Sequence, residues 1–334
     1  MDNYQDLKST QQEIPKISVI GVGGAGCNAV TKMIKNSLGV NLIVADTDTK
    51  ALSNNKEQYR IQLGSNLTKG FGSSGSLDIG RESAIESKDD ILLYLSDSKF
   101  IFIVAGMGGG TGTGAAPIIA KYLRENIISK SGVQHELSSL IVGVITKPFD
   151  FEGEIIQIAY QKGLDEIKKY VDIVIVIPNQ SLFRIADDKT TFRKSFALSD
   201  EVLGKSIHCI SGLITDAGLI NLDYADLISL FYKKGKATIG IGYGVGDDRA
   251  VIAILNAMSD PILDKILFKK AKSILVSIIG GDDLTLFEID TVLNRMRDEI
   301  ANDTNIIFGS VYDESKTGSI SVRVVATEIE DEAQ

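Results

Sequence analysis

Short apolar runs alternate with longer amphipathic stretches over the first half of the chain. The runs have the length and β-branched content of buried strands and are KISVI, NLIVA, FIFIVA, SLIVGVIT and DIVIVIP. The stretches between them predict helices from about Ala25, from Gly112 and over 155–169. This alternation is typical of a mostly parallel sheet that is covered by helices on both faces. The sequence therefore predicts an α/β fold.

The pattern changes in the second half of the chain. Residues 191–213 contain no strong helix breaker except Gly204 and predict one long helix, a natural spine between two domains. Beyond it, strands are predicted at ATIGIGYG, SILVSIIGG, TNIIFGSV and SISVRVVAT, with helices near 248–258 and 286–300. These elements predict a smaller α/β domain that ends in an antiparallel pair, and they leave open which strands pair. The expected divisions are a disordered tail at 1–14, a first domain at 15–190, a core helix at 191–213, a second domain at 214–327 and an acidic tail at 328–334.

Composition and charge narrow the possible classes of function. The 334 residues exceed the ~250–300 at which one core usually stops growing, so two packed domains are expected. A net charge of −9 disfavours non-specific nucleic-acid binding. The two cysteines, Cys27 and Cys209, are too few for a disulfide framework and fit a reducing cytoplasm. No apolar run approaches the ~20 residues of a spanning helix, and the N-terminus lacks signal-peptide features. We therefore expect a cytoplasmic protein without membrane insertion.

The first candidate for chemistry is a glycine-rich turn. GVGGAG at 21–26 follows the strand KISVI and opens a helix, so it satisfies the GxGxxG pattern in the right context. Asp46 lies twenty residues after Gly26, where a dinucleotide-binding fold places its ribose-binding acid. Taken alone, this loop indicates NAD. However, a glycine turn at a helix N-terminus favours any nucleotide phosphate, so the loop does not decide the ligand.

A second glycine-rich loop changes that interpretation. GMGGGTGTG, from Gly106 to Gly114, also follows a buried strand and opens a helix, and a dinucleotide fold gives it no role. Its glycines, together with Thr111 and Thr113, expose successive backbone amides at close approach, which suits a di- or triphosphate. No GxxxxGK[ST] motif occurs, so a P-loop is absent. The two loops together favour a nucleoside di- or triphosphate over NAD.

GGGTGTG is typical of the tubulin/FtsZ superfamily, and the chain resembles the FtsZ family of bacterial cell-division GTPases from about Lys16 to Thr327. The motifs that carry the resemblance occur in the family's order and are GVGGAGCNAV, AGMGGGTGTGAAPIIA, TKPFDFEG, IPNQSLF and GLINLDYADL. The resemblance implies a Rossmann-like GTP-binding domain, the core helix and a C-terminal GTPase-activating domain. It also implies GTP or GDP with Mg²⁺, and self-assembly into head-to-tail cytoskeletal filaments at the division site.

The resemblance assigns the nucleotide site to specific residues. Two glycine loops would cradle the phosphates, a third loop in FGSSGS would close over the γ-phosphate, and Glu152 would hold the ribose. Asn179 and Glu201 would read guanine, whose N1–H and amine suit a carboxylate acceptor. Phe196 would stack on the base or only pack in the core. The full expected set is Gly21, Gly23, Gly24, Gly26, Asn28, Gly72, Ser74, Gly75, Gly108, Gly109, Gly110, Thr111, Gly112, Thr113, Gly114, Glu152, Asn179, Phe196 and Glu201.

Catalysis is implied to need a loop from the next subunit of the filament, which here matches Asn221, Asp223 and Asp226. The two aspartates lie three residues apart at an expected helix start, so both carboxylates share one face and can polarise a water that attacks the γ-phosphate. The alternative is that they cap the helix. We favour catalysis for the pair because of the motif around it.

Several positions depart from the family pattern. The family has a basic triplet after FEG, whose Arg contacts the nucleotide, whereas this chain has Glu154, Ile155 and Ile156, with Ile156 in the place of the Arg. Losing a guanidinium near phosphate removes a charge-assisted contact. Nucleotide binding is therefore the firmer expectation, and nucleotide hydrolysis the weaker one. The third loop has Ser74, Gly75 and Leu77 where glycine, alanine and proline are usual, and Asp46 stands where asparagine is common.

The C-terminus also departs from the pattern, because the family continues into a linker and an adaptor-binding peptide whereas this sequence stops at Gln334. Two explanations are open: the sequence is truncated, or the protein is a short FtsZ-like paralogue. In both cases we expect that the chain alone does not bind lipid. Two functions follow. The first is a GTP-hydrolysing filament protein that assembles with itself. The alternative is a weakly or non-hydrolysing regulator that copolymerises with or caps a longer FtsZ. A longer FtsZ and division regulators are the candidate partners besides the chain itself.

Overall fold

The computed structural model describes residues 15–33, 40–53, 59–131, 139–187, 189–215, 218–220, 231, 235–260 and 264–329. The strands are β1 Ile17–Val22, β2 Val40–Asp46, β3 Tyr59–Gln62, β4 Phe100–Gly106, β5 Leu140–Lys147, β6 Ile173–Pro178, β7 Gly218–Ile220, β8 Gly235–Val245, β9 Ser273–Gly280, β10 Asn305–Tyr312 and β11 Ser319–Ile329. The α-helices are α1 Gly23–Met33, α2 Thr49–Ser53, α3 Ser65–Thr68, α4 Leu77–Glu86, α5 Lys88–Leu95, α6 Gly110–Ser131, α7 Glu154–Ile167, α8 Phe192–Thr215, α9 Arg249–Ser259, α10 Lys265–Lys270 and α11 Leu286–Arg297.

The described strands form one sheet in the order β3-β2-β1-β4-β5-β6-β8-β11-β9-β10-β7. All neighbours from β3 to β8 are parallel. This confirms the α/β prediction, with a mostly parallel sheet in the first half of the chain. In a parallel sheet the carboxyl ends of successive strands meet along one edge, and the loops that follow them share that edge.

The structure shows which strands pair in the second half of the chain, a point that the sequence left open. The last strand, β11, is antiparallel to β8 and β9, whereas β10 lies parallel to β9 and does not pair with β11. The two strands that are last in the sequence are therefore not neighbours in the sheet. Here β11 inserts between two earlier strands and thereby joins β8 to β9.

Helices cover both faces of the parallel strands, as predicted. Strand β4 illustrates the arrangement, because Phe100, Phe102 and Val104 belong to one core cluster and Ile101 and Ile103 to the other. The first cluster includes residues of α1 and α8, and the second includes residues of α4, α5, α6 and α7. A strand that is buried on both faces needs apolar residues at every position. This explains why the run FIFIVA shows no alternation of apolar and polar residues.

The predicted long helix is α8, which packs against α1. A third core cluster lies beyond it, between α9, α10 and α11 on one side and strands β9 and β11 on the other. The predicted helices near 248–258 and 286–300 correspond to α9 and α11. None of the helices in the described ranges combines the length and the apolar content needed to cross a bilayer.

Several short elements were not predicted from the sequence. Strand β3 and helices α2 to α5 lie between Asp46 and Phe100, and β7 and α10 lie in the second half. Strand β3 has only four residues, YRIQ, too few for a period to be recognised. Helices α4 and α5 are held mainly by packing against α6, which tertiary structure supplies and local sequence does not.

Candidate functional site

The first glycine loop joins β1 to α1, which begins at Gly23 with a left-handed φ of 70°. One side of the loop packs tightly on the sheet, because a Cβ at Gly21 would collide with the Gly26 carbonyl and a Cβ at Gly26 with the Val104 carbonyl. The other side is open. A Cβ at Gly24 would meet nothing within 4 Å. The loop thus approaches the strands closely and leaves free space above its backbone.

The second glycine loop follows the neighbouring strand β4 and opens α6. The Gly108 amide donates to the Thr113 hydroxyl over 2.8 Å, which stabilises a left-handed φ of 112° at Gly108. A Cβ at Gly109 would meet nothing within 4 Å. The two loops touch each other, because a Cβ at Gly23 would lie 2.9 Å from the Gly112 nitrogen. Only glycine at these positions allows this approach.

The third loop lies against the second. A Cβ at Gly110 would lie 2.8 Å from the Ser76 nitrogen and would collide with the Ser73 hydroxyl. Three buried hydroxyls tie the segments together, since Thr111 Oγ1 shares hydrogen bonds with Thr47 Oγ1 at 2.7 Å and with Ser73 Oγ at 3.0 Å. Ser74 adopts a left-handed φ of 49° although it is not glycine, at a cost of about 1–2 kcal/mol.

The three loops converge on one site whose floor is backbone. The structure brings the predicted phosphate-binding glycines together at the amino ends of two helices, α1 with 11 residues and α6 with 22. Helix amino ends carry unpaired N–H groups and a partial positive charge that favour anions. The open space above Gly24 and Gly109 is large enough for at least a methyl group at each, so a phosphate can approach both amides.

Asp46 has a different role from the one that a dinucleotide fold would give it. Its side chain is only 4% exposed, and Oδ1 accepts hydrogen bonds from the Thr47 and Asp48 amides at 2.7 and 3.2 Å. Burial raises the pKa of this carboxyl, and the two backbone bonds oppose that rise. The carboxylate holds the turn after β2 in place, which argues against the NAD interpretation.

The residues expected at the ribose and base lie on neighbouring segments. Glu152 is half-buried, and its Oε1 accepts a hydrogen bond from the Phe149 amide at 2.8 Å. Asn179 is buried directly after β6, and its Oδ1 accepts from the Ser199 hydroxyl at 2.7 Å. Glu201 lies exposed on α8 and pairs with Lys205 at 2.9 Å. Helix α8 therefore brings Ser199 next to the end of β6 and carries Glu201 two residues further along.

Phe196 belongs to an aromatic cluster at the same place. Its ring meets Phe149 edge-on with centroids 5.7 Å apart and Phe192 edge-on at 4.9 Å. Such geometry is typical of favourable aromatic packing. Phe196 nevertheless keeps 36% of its surface exposed. Both interpretations from the sequence therefore remain compatible, with part of the ring packed and part accessible to a base.

Ile156 lies directly on the second glycine loop. A Cβ built on Gly108 would fall 2.7 Å from Ile156 Cγ2. The position at which the sequence pattern led us to expect an arginine thus faces the second glycine loop in this chain, with an apolar side chain. The preceding residue, Ile155, is 82% exposed and so makes little contact with the rest of the protein.

Two groups of residues complete the comparison with the sequence-based site. Asn221, Asp223 and Asp226 lie outside the described residues, as do 1–14 and 330–334. Sequence reasoning missed Thr47, Ser73 and Ser199, whose hydroxyls bond to site residues. No local motif marks them, because the contacts of Thr47 with Thr111 and of Ser199 with Asn179 span 64 and 20 residues of sequence.

Comparison with known proteins assigns the chain to a family. A model of the tubulin/FtsZ family GTPase domain matches residues 16–187, and a model of the FtsZ family C-terminal domain matches residues 235–330. This chain belongs to the tubulin/FtsZ family. Residues 16–187 include all three glycine-rich loops, and the chain is a GTP-binding GTPase of this family.

Individual relatives support the assignment over most of the chain. The cell division protein FtsZ of Wolbachia sp is 50% identical over 318 residues, which cover 95% of this chain and 80% of the relative. The protein of the same name from Bartonella bacilliformis is 47% identical over 317 residues, covering 95% of this chain but only 52% of the relative. A solved structure of an empty FtsZ dimer from M. jannaschii superposes with a TM-score of 0.85 at 34% identity and covers 96% of this chain and 90% of that one. These matches favour the GTPase over the alternative of a non-hydrolysing regulator.

Proposed function

We propose that the chain is a self-assembling cytoskeletal GTPase of bacterial cell division, which hydrolyses GTP at the junction between head-to-tail filament subunits. The observation that carries the proposal is the convergence of three glycine-rich loops, with Gly24 and Gly109 open to the space above them. The relatives named for cell division and the FtsZ dimer support the cellular role and the assembly. The proposed location is the cytoplasm at the division site.

Phosphate binding is the part of the function that the geometry supports most strongly. Backbone amides of the first two loops and the amino ends of α1 and α6 would hold the phosphates, and the loop 72–76 would close over the terminal one. Mg²⁺ would accompany the triphosphate, held chiefly by phosphate oxygens and water, because Mg²⁺ keeps several waters and prefers oxygen ligands. Phosphate-loop binding alone does not distinguish one base from another.

Base recognition would come from Asn179, Glu201 and Phe196. The Glu201–Lys205 pair is exposed, and such pairs contribute only about 0–1 kcal/mol, so the carboxylate is easily redirected to guanine. It would accept from N1–H and the exocyclic amine, two donors that adenine does not present together. Glu152 would hold the ribose with the oxygen that is not bonded to Phe149.

Hydrolysis would require the neighbouring subunit. Asp223 and Asp226 would polarise the attacking water from the loop that also contains Asn221, and the second domain at 214–327 would thereby activate the GTPase domain at 15–190 of the next subunit. The core helix at 191–213 would connect the two. Further copies of this chain are the proposed partners, and a longer FtsZ and division regulators could enter the same assembly.

The base preference tests the proposal. Displacement of a fluorescent GTP analogue by GDP or GTP should occur at much lower concentration than displacement by ATP or NAD. We expect a difference of about 100-fold, because guanine would pair with the buried Asn179 amide and the exposed Glu201 carboxylate, whereas adenine leaves both unpaired. Equal displacement by ATP would contradict guanine recognition.

Substituting Ile156 tests whether the missing arginine limits this site. We expect Ile156→Arg to raise nucleotide affinity or turnover about 10-fold or more, since a guanidinium beside the second glycine loop would add a charge-assisted contact to phosphate of about 1.5–3 kcal/mol where desolvated. Side-by-side measurement of Kd and kcat checks this.

Ile155→Arg provides the matched control, because it adds the same charge at the adjacent, exposed position. It should change Kd little. If both variants leave Kd and kcat unchanged, the departure at Ile156 does not weaken the site.

A further inference from the structure

We propose that Ser199 is a positioning residue for guanine recognition, which holds the Asn179 side-chain amide so that its NH₂ group donates to the base. The inference rests on the proposed function, in which Asn179 reads guanine. It adds a specificity determinant outside the expected nucleotide-binding set.

The contact on which the proposal depends is buried and short. Ser199 is 4% exposed and Asn179 is 5% exposed, and the Ser199 hydroxyl donates to Asn179 Oδ1 at 2.7 Å. Within the described ranges, the hydroxyl is the only group that bonds to the Asn179 side chain. The Asn179 Nδ2 group therefore keeps both of its N–H donors for a ligand.

Both ends of the contact are fixed by their own segments. Asn179 follows Pro178, whose ring restricts φ, and it begins a short 3₁₀ helix at the end of β6. Ser199 lies on α8 one residue before Asp200, which pairs with Lys32 of α1 at 3.3 Å. The Lys32 ammonium also donates to the Ala197 carbonyl at 2.8 Å. This turn of α8 is thus anchored to α1 immediately beside Ser199.

The chemistry of a primary amide makes its orientation decisive. An asparagine side chain presents an acceptor and a donor at nearly equivalent positions, and rotation by 180° exchanges them. With Oδ1 held by Ser199, the group that remains for the base is the NH₂ donor. Guanine offers the acceptors O6 and N7, whereas adenine offers a 6-amino donor in place of O6. A donor facing a donor disfavours adenine, so the Ser199 bond excludes the orientation that adenine would prefer.

Removing the hydroxyl should therefore relax the choice of base without removing the base contact. In Ser199→Ala the Asn179 amide loses its partner and can rotate to present Oδ1 to the 6-amino group of adenine. We expect the ratio of the ADP and GDP dissociation constants to fall about 5- to 10-fold, the range of one neutral hydrogen bond. Inosine diphosphate keeps O6 and N1–H but lacks the exocyclic amine, so its Kd relative to GDP should not change.

The test compares Kd values of GDP, ADP and inosine diphosphate in the full chain and its variants. Ser199→Thr keeps the hydroxyl and should retain the wild-type ADP to GDP ratio, whereas Ser199→Val, of the same shape, should lower it as Ser199→Ala does. Ser195→Ala is the matched control, because its hydroxyl bonds to the Phe192 carbonyl on the same helix at 2.7 Å. It should leave the ratio unchanged.

The outcomes separate this proposal from the proposed function. An unchanged ratio in Ser199→Ala and Ser199→Val, together with a lowered ratio in Asn179→Ala, would overturn the positioning role while leaving guanine recognition by Asn179 in place. An unchanged ratio in Asn179→Ala would contradict the base contact itself. The Thr and Val pair decides the matter even if Ser199→Ala folds poorly, since the two side chains differ only in hydroxyl against methyl.

Discussion

Gly109→Asp is expected to weaken GTP and GDP binding about 100-fold or more while leaving the Tm nearly unchanged. A Cβ at Gly109 meets nothing within 4 Å, and its φ lies outside the left-handed region, so the fold can accommodate the side chain. The added carboxylate would occupy the space of the phosphates and repel them at short range, where each lost charge-assisted contact is worth about 1.5–3 kcal/mol. Nucleotide titration and thermal unfolding of the same samples measure the two effects.

Two further substitutions separate charge, bulk and packing. Gly109→Asn has nearly the same shape without the charge and should weaken binding less than Gly109→Asp does. Gly26→Ala should instead destabilise the protein, because its Cβ would collide with the Val104 carbonyl beneath the loop. Tight GTP binding by Gly109→Asp would show that the phosphates do not lie over this loop.

Asp223→Ala and Asp226→Ala are expected to lower GTP turnover about 100-fold while leaving nucleotide affinity nearly intact. A water-polarising group typically contributes 10²- to 10⁴-fold to the chemical step. In the proposed arrangement these residues act on the nucleotide bound by the neighbouring subunit and contribute little to binding in their own subunit. Steady-state phosphate release and equilibrium titration distinguish the two quantities.

Asp247→Ala is a suitable control, since Asp247 is an exposed aspartate in the turn between β8 and α9. It should leave both turnover and affinity unchanged. A loss of affinity in Asp223→Ala or Asp226→Ala as large as the loss of turnover would favour the alternative in which these residues only cap a helix and stabilise the fold.

The sequence predicted those parts of the fold that depend on local patterns. Runs such as FIFIVA are apolar at every position because both faces of the strand are covered, and this burial leaves a signal in the sequence. Strand β3 and helices α4 and α5 have no comparable signal, because contacts with distant elements hold them. The pairing of the last strands was left open for the same reason, since β11 pairs with β8 and β9 through long-range contacts.

The candidate site shows the same division. Both glycine loops could be identified from the sequence, because the tight approach of backbone to backbone restricts the residue type at each position. The hydrogen bonds of Thr47 and Ser73 with the Thr111 hydroxyl could not be identified from the sequence. Each joins segments that are distant in sequence, and many residue types fit such positions. Likewise, the edge-on packing of Phe196 on Phe149 emerges only when α8 is placed in three dimensions.

The central claim is that one active site is built from two subunits, and mixing subunits tests it most directly. GTP turnover should be measured in mixtures of Gly109→Asp, which is expected to bind nucleotide poorly, with Asp223→Ala, which is expected to bind it but to hydrolyse it slowly. A shared site predicts that the mixture hydrolyses GTP faster than the sum of the two proteins alone, because a Gly109→Asp subunit supplies an intact Asp223 to the nucleotide bound by an Asp223→Ala neighbour. Turnover that does not exceed that sum at any mixing ratio would show that each subunit hydrolyses GTP alone and would contradict the account.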